Sequence, residues 1–132
     1  MAEYPHLLHT VLDTTDCRGL AEFYRALLGL QYRPGDEDRD DPDWLVLTEA
    51  DGTRRLAFQQ VDELAPTTWP APDVPMQLHL DLTVPDVDAL ERQRRRAEAL
   101  GARLVLDRSD DDEEPLYVFA DPAGHPFCLF VG

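Results

Sequence analysis

Two stretches decide how this chain is read: His9-Thr-Val-Leu-Asp-Thr-Thr-Asp16 and, seventy residues on, His79-Leu-Asp-Leu-Thr-Val-Pro-Asp86. In each, a histidine on a strand-like segment stands seven residues ahead of an aspartate placed to cap a helix. Each helix then runs to a glycine, Gly29 or Gly101. Each copy continues through a short strand, an acidic loop, a second strand, a glycine turn and a last strand. A repeated unit this small has to bury its apolar face against its twin, so the seam between the copies is the expected place for a site.

The first copy predicts a strand over 7–14 and a helix capped by Asp16. Leu20, Phe23, Tyr24, Leu27 and Leu28 form one apolar stripe on that helix, and Gly29 closes it in a left-handed conformation. Strands follow over 30–33, 44–48 and 55–61, with Asp51-Gly52 as a tight turn between the last two. In the second copy Leu78, Leu80, Leu82 and Val84 alternate with His79, Asp81 and Thr83, so the polar three share one strand face. Asp86 caps a second helix with Val87, Leu90, Ala97 and Leu100 inward; Arg92, Arg94, Arg95 and Arg96 fill its C-terminal half, where positive charge suits the helix dipole. Strands over 102–106, 116–120 and 126–131 complete the copy. Pro66, Pro70, Pro72 and Pro75 make 61–76 a stiff linker. The order is βαβββ, twice.

Composition narrows the function. At 132 residues the chain fits one compact domain. The net charge of −15 repels nucleic acid and anionic lipid, so neither is an expected partner. No apolar run suits a membrane span, and Met1-Ala-Glu-Tyr-Pro-His6 lacks the basic and apolar regions of a secretory signal. Cys17 and Cys128 sit in unlike contexts, which fits a reducing cytoplasm rather than a disulfide framework. Absence of lysine, asparagine and isoleucine points to a GC-rich bacterial genome, and without lysine no Schiff-base route exists. Twelve of the 27 acidic residues fall in two loops, six over 36–43 and six over 107–114. Neither has the glycine-interrupted oxygen spacing of a calcium loop, so both are read as solvated.

The motifs His9…Asp16…Ala21-Glu-Phe-Tyr24…Leu28-Gly29, His79…Asp86…Leu100-Gly101 and Phe119-Ala-Asp-Pro-Ala-Gly124-His-Pro-Phe127 resemble the vicinal oxygen chelate superfamily over essentially the whole chain. This group holds glyoxalase I, bleomycin-resistance proteins, fosfomycin-resistance enzymes and extradiol dioxygenases. Leu56-Ala-Phe-Gln59 with His79-Leu-Asp81 is most similar to its glyoxalase-like branch. The resemblance implies an α+β fold: one domain over 1–132 whose modules, 5–60 and 77–132, each hold a mixed sheet of strand order 1-4-3-2 and join into a cup-shaped cleft. It also implies a homodimer. Metal enzymes of the group take ligands from the first and last strand of each module. His9 and His79 match the first-strand positions, whereas the last-strand positions fall on Ala57 and Cys128.

Two histidines alone make a poor divalent-metal site, so no metal or other cofactor is expected; if a metal is present, His9 and His79 are its ligands. The favoured picture is a pair of cavity histidines hydrogen-bonded to Asp13 or Asp81. The expected pocket comprises His9, Val11, Asp13, Ala57, Gln59, His79, Asp81, Cys128 and Phe130, and it takes a small, largely apolar organic molecule. The alternative is a divalent-metal-dependent lyase, isomerase or dioxygenase with an unconventional His/Asp ligand set. A third reading makes His79 and Asp81 a metal-free acid–base pair. Cys17, in the first turn of a helix, reads as an incidental thiol rather than a nucleophile. His6 and His125 read as exposed, and Trp69 reads equally as a core residue or as one closing a cleft or an interface.

Overall fold

A computed structural model describes residues 3–132; Met1 and Ala2, the start of the stretch read above for a signal, lie outside the described residues. The chain divides into two compact units, Met1–Glu63 and Leu64–Gly132.

In the first unit β1 (Thr10–Thr14) leads into α1 (Cys17–Leu28), followed by β2 (Gln31–Tyr32), a 3-10 turn at Asp36–Asp38, β3 (Trp44–Thr48) and β4 (Arg54–Gln60). The sheet order is β1-β4-β3-β2, with β1 parallel to β4 and the other pairs antiparallel. The cap works as the sequence requires. The Asp16 carboxylate accepts from the Gly19 N–H at 3.0 Å, and Gly29 ends the helix at φ +67°. Leu20, Phe23 and Tyr24 are buried and Tyr24 stacks on Phe58 at 6.0 Å, so α1 lies on the face of β4 that carries Leu56 and Phe58. Leu28, expected on the inner stripe, is 37 % exposed at the last turn before the cap. The first strand begins three residues later than expected, because Leu7 and Leu8 find no cover.

The second unit repeats the topology: β5 (Leu80–Val84), α2 (Val87–Leu100), β6 (Arg103–Arg108), β7 (Leu116–Ala120) and β8 (Pro126–Val131), in the order β5-β8-β7-β6. Asp86 accepts from Ala89 N–H at 2.7 Å, and Gly101 closes the helix at φ +119°. Ala89, Leu90 and Ala97 form the inner side of α2, and Phe119 stacks on Phe127 at 5.2 Å. Val87, expected inward, is exposed, since the capping turn holds it out. Arg94 does not serve the helix end. It pairs with Glu98 at 2.9 Å and lies over the Tyr117 ring. Among the described residues no helix is long and apolar enough to cross a membrane.

Candidate functional site

In the second unit the parallel pairing of β5 and β8 sets Asp81 opposite Cys128 and Thr83 opposite Phe130. Paired residues share a face, so these four side chains rise on the side away from Phe127 and Leu129. His79 stands one residue before β5, with its Nε2 3.1 Å from Asp81 Oδ1. The Cys128 thiol also bonds to Asp81; burial first, then the Asp81 charge and that bond, push its pKa up and hold it protonated. Asp81 is thus the common partner of an imidazole and a thiol.

The first unit has equivalent positions with different chemistry. Val11 pairs with Ala57 and Asp13 with Gln59, so four more expected site residues share one face. Ala57 is fully buried and offers no donor or acceptor in its side chain. The His9 Nδ1 is buried and has no hydrogen-bond partner. Burial, and then the charges of Arg54 and Arg33, lower the His9 pKa and keep the ring neutral at pH 7. Its ring lies 6.2 Å from that of Trp44.

The family resembled above suggests a divalent cation, and the donor geometry tests that. His79, Asp81 and Cys128 each present one ligand atom, all within 4.8 Å of one another. Three donors leave a coordination position open, and a sulfur donor suits zinc better than manganese. This set fits a cation, but it differs from the expected His9 and His79 pair: all three donors come from the second unit.

Other candidates separate cleanly. Cys17 is 2 % exposed, and its thiol donates to the Phe58 carbonyl at 3.4 Å. Burial, opposed by the Arg18 charge, pushes its pKa up to about 11, so the helix dipole does not activate it. Unfolded, this thiol ionises near pH ~8.5, whereas the folded chain retains its proton. The stabilisation is therefore complete below that pH and lost as pH rises towards about 11. Urea unfolding should show about 3 kcal/mol disappearing over this window, and Cys17→Ala should flatten the profile. His6 is exposed as expected, but His125 is half-buried. Trp69 is half-buried beside a cis bond to Pro70. The loop over 36–43 is not wholly solvated. Asp36 is 3 % exposed, and its carboxylate accepts the Val46 N–H at 2.9 Å. Sequence reasoning also missed Arg54 and Arg33, since nothing in the alternation of β4 places an arginine beside His9.

The model of the Glyoxalase-like domain family matches residues 9–130. No curated protein matches this chain in sequence. Among solved structures, a variant of the fosfomycin resistance protein FosX from Listeria monocytogenes, complexed with Mn(II) and 1S,2S-dihydroxypropylphosphonic acid, is similar at 18% identity and TM-score 0.71, over 98% of this chain and 94% of that one. A glyoxalase/bleomycin resistance protein/dioxygenase family enzyme from Burkholderia phytofirmans PsJN is similar at 17% identity and TM-score 0.69, over 94% and 96%. A possible glyoxalase from Bacillus cereus is similar at 14% identity and TM-score 0.66, over 95% and 97%. At these identities the likeness is one of fold.

Proposed function

This chain belongs to the glyoxalase-like domain family, and from that premise we propose that it binds a small, largely apolar organic molecule on the strand faces that carry His9 and His79. The reading extends to a cytoplasmic homodimer that works without a stoichiometric metal. The observation that carries it is the self-contained contact of the second-unit cluster: Asp81 accepts from the Cys128 thiol, which keeps its proton, and lies 3.1 Å from His79 Nε2. A polar group already satisfied in this way, beside half-buried Phe130, orients a ligand without needing an ion. A neutral imidazole can meet such a ligand through either ring nitrogen.

A second reading has its own support. Convergence of three donors within 4.8 Å favours a metal-dependent enzyme with His79, Asp81 and Cys128 as ligands. Bound there, a cation would polarise a substrate oxygen. The protein's own contribution would be to surrender the Cys128 proton.

Native mass spectrometry of untagged protein separates these readings in one measurement. The expected spectrum is a dimer of the 15.0 kDa chain carrying a co-purified organic molecule and no metal. His79→Ala should weaken retention of that molecule by about 1–3 kcal/mol, the worth of one buried hydrogen bond, and leave the fold intact. About one transition metal per chain, lost in His79→Ala, would overturn the metal-free reading in favour of the enzyme.

A further inference from the structure

The hairpin of β3 and β4 contains an irregularity that redirects one side chain. Val46 pairs with Ala57 and Leu47 with Leu56, but the register then shifts and Thr48 pairs with Arg54 rather than Arg55. Plain alternation would put Arg54 with Leu56 and Phe58, on the face that packs against α1. The extra residue reverses this. Arg54 now shares the face of Thr48, Val46 and Ala57, the re-aiming that a bulge performs. Arg55 becomes the unpaired residue, exposed and bound to Glu49 at 3.0 Å. Arg54 itself is half-buried, and among the described residues no ion pair involves it.

The same end of the sheet holds His9. Thr10 pairs with Leu56, so the residue before it reaches the level of the bulge. Its buried Nδ1 has no partner, a state that costs about 1–3 kcal/mol where it persists. Arg33 flanks the opposite side, its N–H bound to the Val46 carbonyl at 2.9 Å and its guanidinium 3.3 Å from Asp36. The charges of Arg54 and Arg33 both reach the imidazole. Half-buried Trp44 and exposed Val11 supply apolar surface alongside. In a chain of net charge −15, Arg54 is a half-buried cation that no described carboxylate pairs, beside a neutral imidazole.

We propose that this face of the first sheet takes the anionic head of an organic ligand, a carboxylate or phosphonate, with the Arg54 guanidinium as charge partner and the His9 ring beside it. The proposal rests on the ligand-binding reading above and names the class of ligand. A planar guanidinium matches a two-oxygen anion.

The test uses the whole protein and three matched probes: benzoate, phenylphosphonate and neutral benzamide. The readout is the His9 imidazole signal in proton–carbon correlation spectra, identified by its loss in His9→Gln. The two anions should shift that signal saturably, and benzamide should bind about tenfold more weakly. Arg54→Gln should erase the preference for anions, Arg54→Lys should keep part of it, and Arg55→Gln should leave it unchanged. Unaltered backbone amide spectra would confirm that each variant is folded. Equal binding of benzamide and benzoate, or a preference that survives Arg54→Gln, overturns the proposal while leaving the ligand-binding reading intact. No saturable shift with any probe overturns the proposal, and a co-purified molecule in native mass spectrometry then decides whether the broader reading stands.

Discussion

Replacing Asp36 with alanine should destabilise the protein by about 2–4 kcal/mol, because it leaves the buried Val46 N–H without an acceptor and two part-exposed arginines without their counter-charge. Three observations set this scale. The carboxylate is 3 % exposed, it accepts the Val46 N–H at 2.9 Å, and it lies 3.3 Å from the Arg33 guanidinium. Arg39 approaches the same oxygen at 3.9 Å. Without the carboxylate, Val46 in the middle of the sheet keeps an N–H with no acceptor, and Arg33 loses its counter-charge beside His9. Asp36→Asn preserves an acceptor for Val46 and should cost roughly half as much. Urea unfolding at neutral pH measures both. A loss below about 1 kcal/mol for alanine would mean that the contact behaves as an exposed pair and that the loop is solvated after all.

Asp36 also marks where reading the sequence fails. Capping aspartates, closing glycines and apolar periodicity are local signals, so both helices and the βαβββ order were legible from the residues alone. The strand order 1-4-3-2 followed from the resemblance and agrees with the pairings found. The expected site residues fall on shared faces within each unit because strand alternation fixes them once register is known: Val11 with Ala57, Asp81 with Cys128. A run such as Asp36-Glu-Asp38 carries no local sign that its first carboxylate turns inward, because the donor it satisfies, the Val46 N–H, belongs to a strand ten residues away. The same holds for Arg54. A single extra residue in β4 changes the face on which it stands, and Gly52-Thr-Arg-Arg55 reads equally well with or without the bulge. Convergence of His79, Asp81 and Cys128 was half visible. The spacing of His79 and Asp81 put them on one face, but the partnership with Cys128 needed the parallel register of β5 and β8.

Gly124→Ala should be the most damaging glycine substitution in the chain, for two separable reasons. Its φ of +97° is one that side chains with a Cβ rarely adopt, which costs about 1–3 kcal/mol. Its added Cβ would also stand 2.5 Å from Pro66 Cβ and 2.6 Å from Pro66 Cα, inside any real contact distance. The neighbours have little room to yield. Thr67 N–H donates to the Gly124 carbonyl at 2.9 Å, and Gly124 N–H donates to the Asp121 carbonyl at 2.8 Å. The Asp121 side chain accepts from the N–H groups of Ala123 and His125 at 2.9 and 3.0 Å. The proline-rich segment is therefore anchored to the β7–β8 turn from Leu64 onwards, as part of the second unit rather than a free connector. Gly52 supplies the internal control, with a φ of +89° and nothing near its missing Cβ. Gly52→Ala should lose only the backbone term, about 1–3 kcal/mol, whereas Gly124→Ala should lose about 2 kcal/mol more through overpacking. Pro66→Gly in the Gly124→Ala background lets the segment move away and should recover part of that excess, read as a coupling energy in a double-mutant cycle. Equal losses at Gly52 and Gly124, with no coupling to Pro66, would show that the contact exerts no force and that the anchoring of the linker has been misjudged.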